Sequence, residues 1–123
     1  MSYNYNQATL VGRLTKDPEL KELSSKSNKL SFTLAVNRHY KKPGEEAETD
    51  FIPVTLFGHS AILGEKLLRK GTPTLVWGRI QVRSYEKDEE RRWMTEIVAE
   101  NFQLLDRFPE IKSELEQEEA TSK

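Results

Sequence analysis

Strict two-residue alternation is the feature that most limits what this chain can form. In Leu30-Ser31-Phe32-Thr33-Leu34-Ala35-Val36-Asn37 every even position is large and apolar and every odd one is small or polar. Successive side chains of a strand point to opposite faces, so this pattern buries one face of a sheet. The alternation returns in Phe51–Phe57, where Ile52, Val54 and Leu56 fall together, and in Leu75–Tyr85, where Val76, Ile80 and Val82 do. Residues 4–14 read as a strand with Ala8, Leu10 and Leu14 on one side, and Gly12 marks a bulge or a close backbone approach. Arg92–Leu105 is a last strand, its apolar content supplied by Met94, Ile97, Val98, Ala99, Phe102 and Leu104.

The segments between are turn-like. Asp17-Pro18-Glu19 and Glu86–Glu90 read as turns and Tyr40–Glu46 as a polar hairpin loop, while residues 20–29 are polar and carry no assignment. One stretch has helical spacing. Ser60 is the expected N-cap before Ala61–Lys70, with Leu63, Leu67 and Leu68 on one face and Ile62 at its edge. Gly71 takes the helix C′ place after Arg69 and Lys70. Three strands, a helix and two strands is the order of an all-β, five-stranded OB-fold barrel with one helix between strands 3 and 4.

At 123 residues and 36% hydrophobic content the chain suits one core. The expected division is an OB domain over residues 1–108 and a short acidic C-terminal tail over 109–123. No apolar run approaches the roughly 20 residues of a membrane span, no secretory signal opens the chain, and there is no cysteine, so a cytoplasmic location is expected. The formal net charge is −1. The tail holds two lysines against five glutamates, which leaves residues 1–108 with 17 Lys and Arg against 15 Asp and Glu. Affinity for a polyanion must therefore come from local patches.

The faces opposite the aliphatic ones are unusual. Phe51 and Phe57 share a face with Pro53 and Thr55, and Trp77, Arg79, Arg83 and Tyr85 share another. Rings among arginines on the non-core side of a sheet are what a single-stranded nucleic acid needs, since rings stack on bases and cations follow the phosphates. The competing reading buries both faces and makes the rings core. Tyr40, flanked by Arg38, His39, Lys41 and Lys42, is either part of that surface or a solvated hairpin tip. Trp77 could stack a base but fits a subunit contact better; Trp93 has no assignment. Catalysis is not indicated. His39 and His59 are the only histidines, no metal-ligand spacing accompanies them, and the glycines form no phosphate-binding loop or dinucleotide fingerprint. No metal or cofactor is expected.

Several segments together resemble the bacterial single-stranded DNA-binding proteins. They are Asn6–Leu14 followed by Asp17-Pro18-Glu19, then Val54-Thr55-Leu56-Phe57-Gly58, Leu68-Arg69-Lys70-Gly71 and Gly78, in matching order from about residue 4 to 106. The resemblance implies an OB fold, a homotetramer, and binding and protection of single-stranded DNA without sequence preference during replication, recombination and repair. It also implies a cytoplasmic, nucleoid-associated location. By motif position the four base-stacking rings are Tyr40, Phe51, Phe57 and Tyr85; at Tyr40, Phe51 and Tyr85 the family commonly has tryptophan. Arg13, Arg38, Lys41, Lys42, Arg79 and Arg83 are the phosphate candidates, with Lys70 and Lys87 secondary. Family members often end in a glycine- or proline-rich linker with an apolar tip that recruits replication and repair enzymes. This sequence ends Glu118-Glu119-Ala120-Thr121-Ser122-Lys123, which argues against recruitment of that kind. The alternative function is an OB module for protein contacts, such as primosome assembly.

Overall fold

The alternating segment becomes β3, Ser27–Asn37, and the sheet is built around it. The computed structural model describes residues 3–23, 27–39, 42–44 and 46–105. Along one edge β3 pairs antiparallel with β4, Thr49–Phe57. Its other edge is shared. Residues 27–31 pair with β2 (Glu19–Leu23), and Leu34 and Ala35 pair with the end of β1 (Ala8–Leu14). β1 continues onto β5 (Pro73–Lys87) and β5 onto β6 (Glu90–Leu104). β6 then returns parallel to β4 at Val54, Thr55 and Leu56. The strands β1, β5, β6, β4 and β3 close a five-membered ring, β2 is appended to β3, and α1 (His59–Leu67) joins β4 to β5. All five expected strands and the helix are present in the expected order.

The aliphatic sets meet inside this ring. Leu30, Phe32 and Leu34 of β3 pack with Val54 and Leu56 of β4, Val76 of β5, and Ile97, Ala99 and Phe102 of β6. Each of these side chains except the small Ala99 contributes about 1.5–3 kcal/mol by leaving water. Gly12 lies where two strands press together: a Cβ there would stand 2.6 Å from the Ala35 carbonyl oxygen, so the close approach, not a bulge, is its reason. Pro53 sits opposite Thr33, whose carbonyl accepts the Thr15 N–H at 3.0 Å, and the pairing with β6 begins only at Val54. The ring therefore takes a position where no ladder N–H is required.

The structure departs from the sequence expectations in five places. First, β2 is a strand that the polar 20–29 segment concealed; all five of its residues are exposed, so it has no buried face to impose a period. Second, β1 starts at Ala8, not residue 4. Ahead of it the Asn6 side chain replaces the backbone ladder, its Nδ2 donating to the Ile80 carbonyl (2.7 Å) and its Oδ1 accepting the Ile80 N–H (2.9 Å). Third, Gly58 and not Ser60 caps α1, at a positive φ of 66° with ψ −134°, and the Ser60 hydroxyl donates to the Glu100 carbonyl instead (3.2 Å). The helix ends at Leu67 and Gly71 belongs to the following turn, where its N–H donates to the Leu14 carbonyl at 2.8 Å.

Fourth, α1 buries Ala61 and Gly64, with Leu68 just beyond it and Leu67 partly buried, while Ile62 and Leu63 stay exposed. Small residues win that face because the helix lies hard against Leu30 and Leu56: a Cβ on Gly64 would come within 2.6 Å of Leu30 Cδ2. Fifth, Ile80 and Val82 are exposed although in phase with buried Val76. β5 and β6 run past the ring as a free two-stranded ribbon, closed at Asp88 and Glu89, both at positive φ (53° and 66°), as a two-residue I′ hairpin turn demands. Where the ribbon leaves, Trp77 faces Asn101 but Gly78 faces Ala99, so Glu100 is bulged out.

Candidate nucleic-acid interface

Register fixes which side chains share the outer face. Along β4 these are Phe51, Pro53, Thr55 and Phe57, opposite Ala35, Thr33, Ser31 and Lys29 of β3. Along β5 they are Arg79, Gln81, Arg83 and Tyr85, opposite Val98, Glu96, Met94 and Arg92 of β6. Because β4 and β6 pair at Thr55 and Val98, the two rows belong to one continuous surface. The rings are turned out on it. Phe51 is 65% exposed, Phe57 45% and Tyr85 47%, whereas Phe32, of the same residue type but the opposite phase, is 6% exposed. The reading that buried both faces of β4 is therefore excluded for these two phenylalanines. Tyr40 and Lys41 lie outside the described residues.

The candidate cations differ in what already holds them. Arg79 and Lys42 are exposed. Arg13 lies in one cross-strand row with Ala35 and Phe51, and its Nη1 donates to the Gly71 carbonyl at 2.9 Å. Arg83 reaches Glu96 Oε2 at 3.4 Å and Met94 Sδ at 3.8 Å through Nη2. Arg38 is different. It grips Asp50 with two nitrogens, Nη2 to Oδ1 (3.0 Å) and Nε to Oδ2 (3.2 Å), and also pairs with Glu48. Donating to Asp50, with both carboxylate charges nearby, raises the Arg38 pKa, and the same hydrogen bonding pulls Asp50 below the usual carboxylate range. The pair clamps the base of the β3–β4 hairpin and neutralises a charge that the sequence offered to phosphate.

Register also brings in residues that sequence reading missed. Lys29 is the cross-strand neighbour of Phe57, and Arg92 that of Tyr85. Between the two phenylalanines the surface is recessed into a groove of about 270 Å³, lined among others by Lys16, Ser31, Pro53, Thr55, Arg83 and Glu96. Counting the hairpin back from Asp88-Glu89 would have revealed Arg92; Lys29 was hidden in the unassigned segment. Trp77, partly buried, faces Thr9 on the outside of the β1–β5 pair, beside Leu75 and exposed Val11. Among the described residues no three His, Cys, Asp or Glu side chains are grouped to hold a metal ion, and no helix is long and apolar enough to cross a membrane.

A family model described as the single-strand binding protein family matches residues 5–105. Single-stranded DNA-binding protein 3 of Clostridium acetobutylicum is 50% identical over 103 residues, which cover 82% of this chain and 71% of that protein. The single-stranded DNA-binding protein of Enterococcus faecalis is 46% identical over 102 residues, 82% of this chain and 54% of the relative. Among solved structures, the Plasmodium falciparum SSB complex with ssDNA superposes with a TM-score of 0.78 at 25% identity, covering 86% of this chain and 99% of that one.

Proposed function

The chain belongs to the single-strand binding protein family, and from that premise we propose that it binds and protects single-stranded DNA without sequence preference, as a non-catalytic component of replication, recombination and repair. The observation that carries this is the exposure of Phe51, Phe57 and Tyr85 on one sheet face set among arginines. Rings stack on any base, because every base has a π-face, at about 1–3 kcal/mol each. Tyr40 joins them by motif position. Arg13, Arg79, Arg83, Lys42 and, by motif position, Lys41 meet the phosphates, joined by Lys29 and Arg92; Arg38 acts as the hairpin clamp. The bound form is a homotetramer, for which the apolar outer face around Val11, Leu75 and Trp77 is a fitting contact. The domain comprises residues 1–108, with 109–123, outside the described residues, as an acidic appendage; the protein works in the cytoplasm at the nucleoid.

The test is a fluorescence titration with oligothymidine and with the matching duplex at two salt concentrations. Tight binding to the single strand, weak binding to the duplex, and a salt slope of roughly −0.7 per phosphate neutralised are expected. The net charge of −1 favours one other reading, an OB module for protein contacts. Such a module would bind a replication protein well and oligothymidine poorly. A nuclease assay with added magnesium should show no cleavage.

A further inference from the structure

A carboxylate buried in the middle of a phosphate-facing surface needs a reason. Glu96 stands opposite Gln81 on that outer face, yet its side chain is only 6% exposed. Its Oε2 accepts from the Thr55 hydroxyl and from Arg83 Nη2, each at 3.4 Å. Both distances exceed the 2.7–3.2 Å of well-formed hydrogen bonds. A carboxylate offers about four acceptor sites, and a buried one is costly unless they are filled. Glu96 lines the groove, together with Lys16, Lys29, Ser31, Thr55 and Arg83, so its remaining acceptor capacity is available to what enters there.

What enters must lie between Phe51 and Phe57, six residues apart on β4 and so about 20 Å from one another. Lys16, Lys29 and Arg83 on the groove's lining can meet a phosphate, but the carboxylate itself only accepts, and so needs an N–H or O–H donor. At about 270 Å³ the groove is at the small end of ligand sites, the scale of one planar heterocycle. We propose that Glu96 accepts a hydrogen bond from the Watson–Crick edge of an unpaired base seated in this groove. This deepens, and rests on, the single-strand reading above. Every base carries an N–H on that edge: N3–H of thymine, N4–H of cytosine, N6–H of adenine, N1–H and N2–H of guanine. In a duplex those donors are taken by the partner base. An acceptor at this place is therefore indifferent to sequence and sensitive to strandedness, which stacking alone enforces only through the cost of opening the helix. Arg83, beside the carboxylate, keeps its charge compensated next to the DNA backbone.

The experiment compares oligothymidine with an oligomer of N3-methylthymidine of equal length. Methylation removes the N3–H and leaves ring, sugar and phosphates. The natural protein should bind the methylated oligomer at least about tenfold more weakly, the scale of a hydrogen bond to a charged acceptor. Glu96→Leu, confirmed folded by circular dichroism, should lose affinity for oligothymidine and discriminate the two oligomers less than about twofold. Equal affinity of the natural protein for both overturns the proposal and needs no variant. So does discrimination that survives in Glu96→Leu, which would reflect methyl bulk, or tighter binding of both oligomers by that variant, which would make Glu96 merely repulsive. If Glu96→Leu does not fold, Glu96→Gln, which keeps an acceptor oxygen, should discriminate to an intermediate degree, and discrimination as large as the natural protein's overturns the idea. Failure of the natural protein to bind plain oligothymidine would instead defeat the single-strand reading itself.

Discussion

Replacing Phe51 by alanine separates a ring that binds from a ring that packs. Full removal of a buried phenylalanine costs about 3–5 kcal/mol. Phe51 is 65% exposed, so roughly a third of that, about 1–1.5 kcal/mol, is at stake in folding. Its cross-strand neighbour Ala35 offers little further contact. The melting temperature should therefore fall by no more than about 10 °C for a domain of this size. Loss of one stacked base removes about 1–3 kcal/mol of binding, a five- to 150-fold rise in Kd for oligothymidine. Phe32→Ala is the control, since Phe32 sits on β3 with its ring 6% exposed. It should lose about 3–5 kcal/mol of stability, a large share of a typical domain's total. Urea melts and anisotropy titrations of both variants decide the matter. If Phe51→Ala is destabilised as much as Phe32→Ala yet binds oligothymidine normally, the ring is structural and the interface is misplaced.

Arg79→Ala should flatten the salt dependence of binding by about 0.7 in log–log slope, whereas Arg38→Ala, whose charge Asp50 and Glu48 already compensate, should leave it within error; titrations at several salt concentrations read both. The Asp50 carboxyl, followed by NMR, should titrate below the model-peptide value of about 3.9 and return to it in Arg38→Ala. Because the folded value is the depressed one, the clamp's contribution is complete above about pH 4 and is lost as pH falls through the folded midpoint. Gly78→Ala would place a Cβ 2.1 Å from the Val98 carbonyl oxygen, a backbone atom that cannot yield, so a loss of about 3 kcal/mol or more is expected in a urea melt.

How much could be read before folding depends on what each residue answers to. Alternation answers to a buried face, so the Leu30–Asn37 part of β3 and the phases of Phe51, Phe57 and Tyr85 are legible, while Ser27–Lys29, at the polar start of the strand, are not. β2 has no buried face, so Glu19–Leu23 shows no period to find. Ile80 and Val82 illustrate a different limit. Their phase was right, but phase says nothing about where the barrel stops and the free ribbon begins, which is decided by the bulge at Glu100 and by pairing to β4 that ends at Val54. The cap of α1 was misjudged because Ser60 is a good capping residue by type, while Gly58 alone can take the φ of 66° that the chain needs on leaving β4. Lys29, Arg92 and Glu96 come onto the candidate surface only through cross-strand register, which is a property of pairs and not of any one segment.

Register also explains how a nearly neutral protein can face a polyanion. Charge counted along the chain mixes groups that do different work. Arg38 is tied by Asp50 and Glu48, so one cation and two anions leave the account as a hairpin clamp. Arg83 shares its charge with Glu96. Arg92 likewise pairs with Glu90 at 3.7 Å. The outer face is left with Arg13, Lys29 and Arg79 spread around the three rings and with Arg83 and Arg92 partly offset, enough to guide a phosphate chain but few enough that electrostatics cannot supply the whole affinity. At about 1–3 kcal/mol per stacked base, three rings can contribute several kcal/mol that salt does not screen. The low net charge is thus consistent with a surface whose grip comes chiefly from stacking, and such a grip selects unpaired bases, because a base inside a duplex has both of its faces already covered.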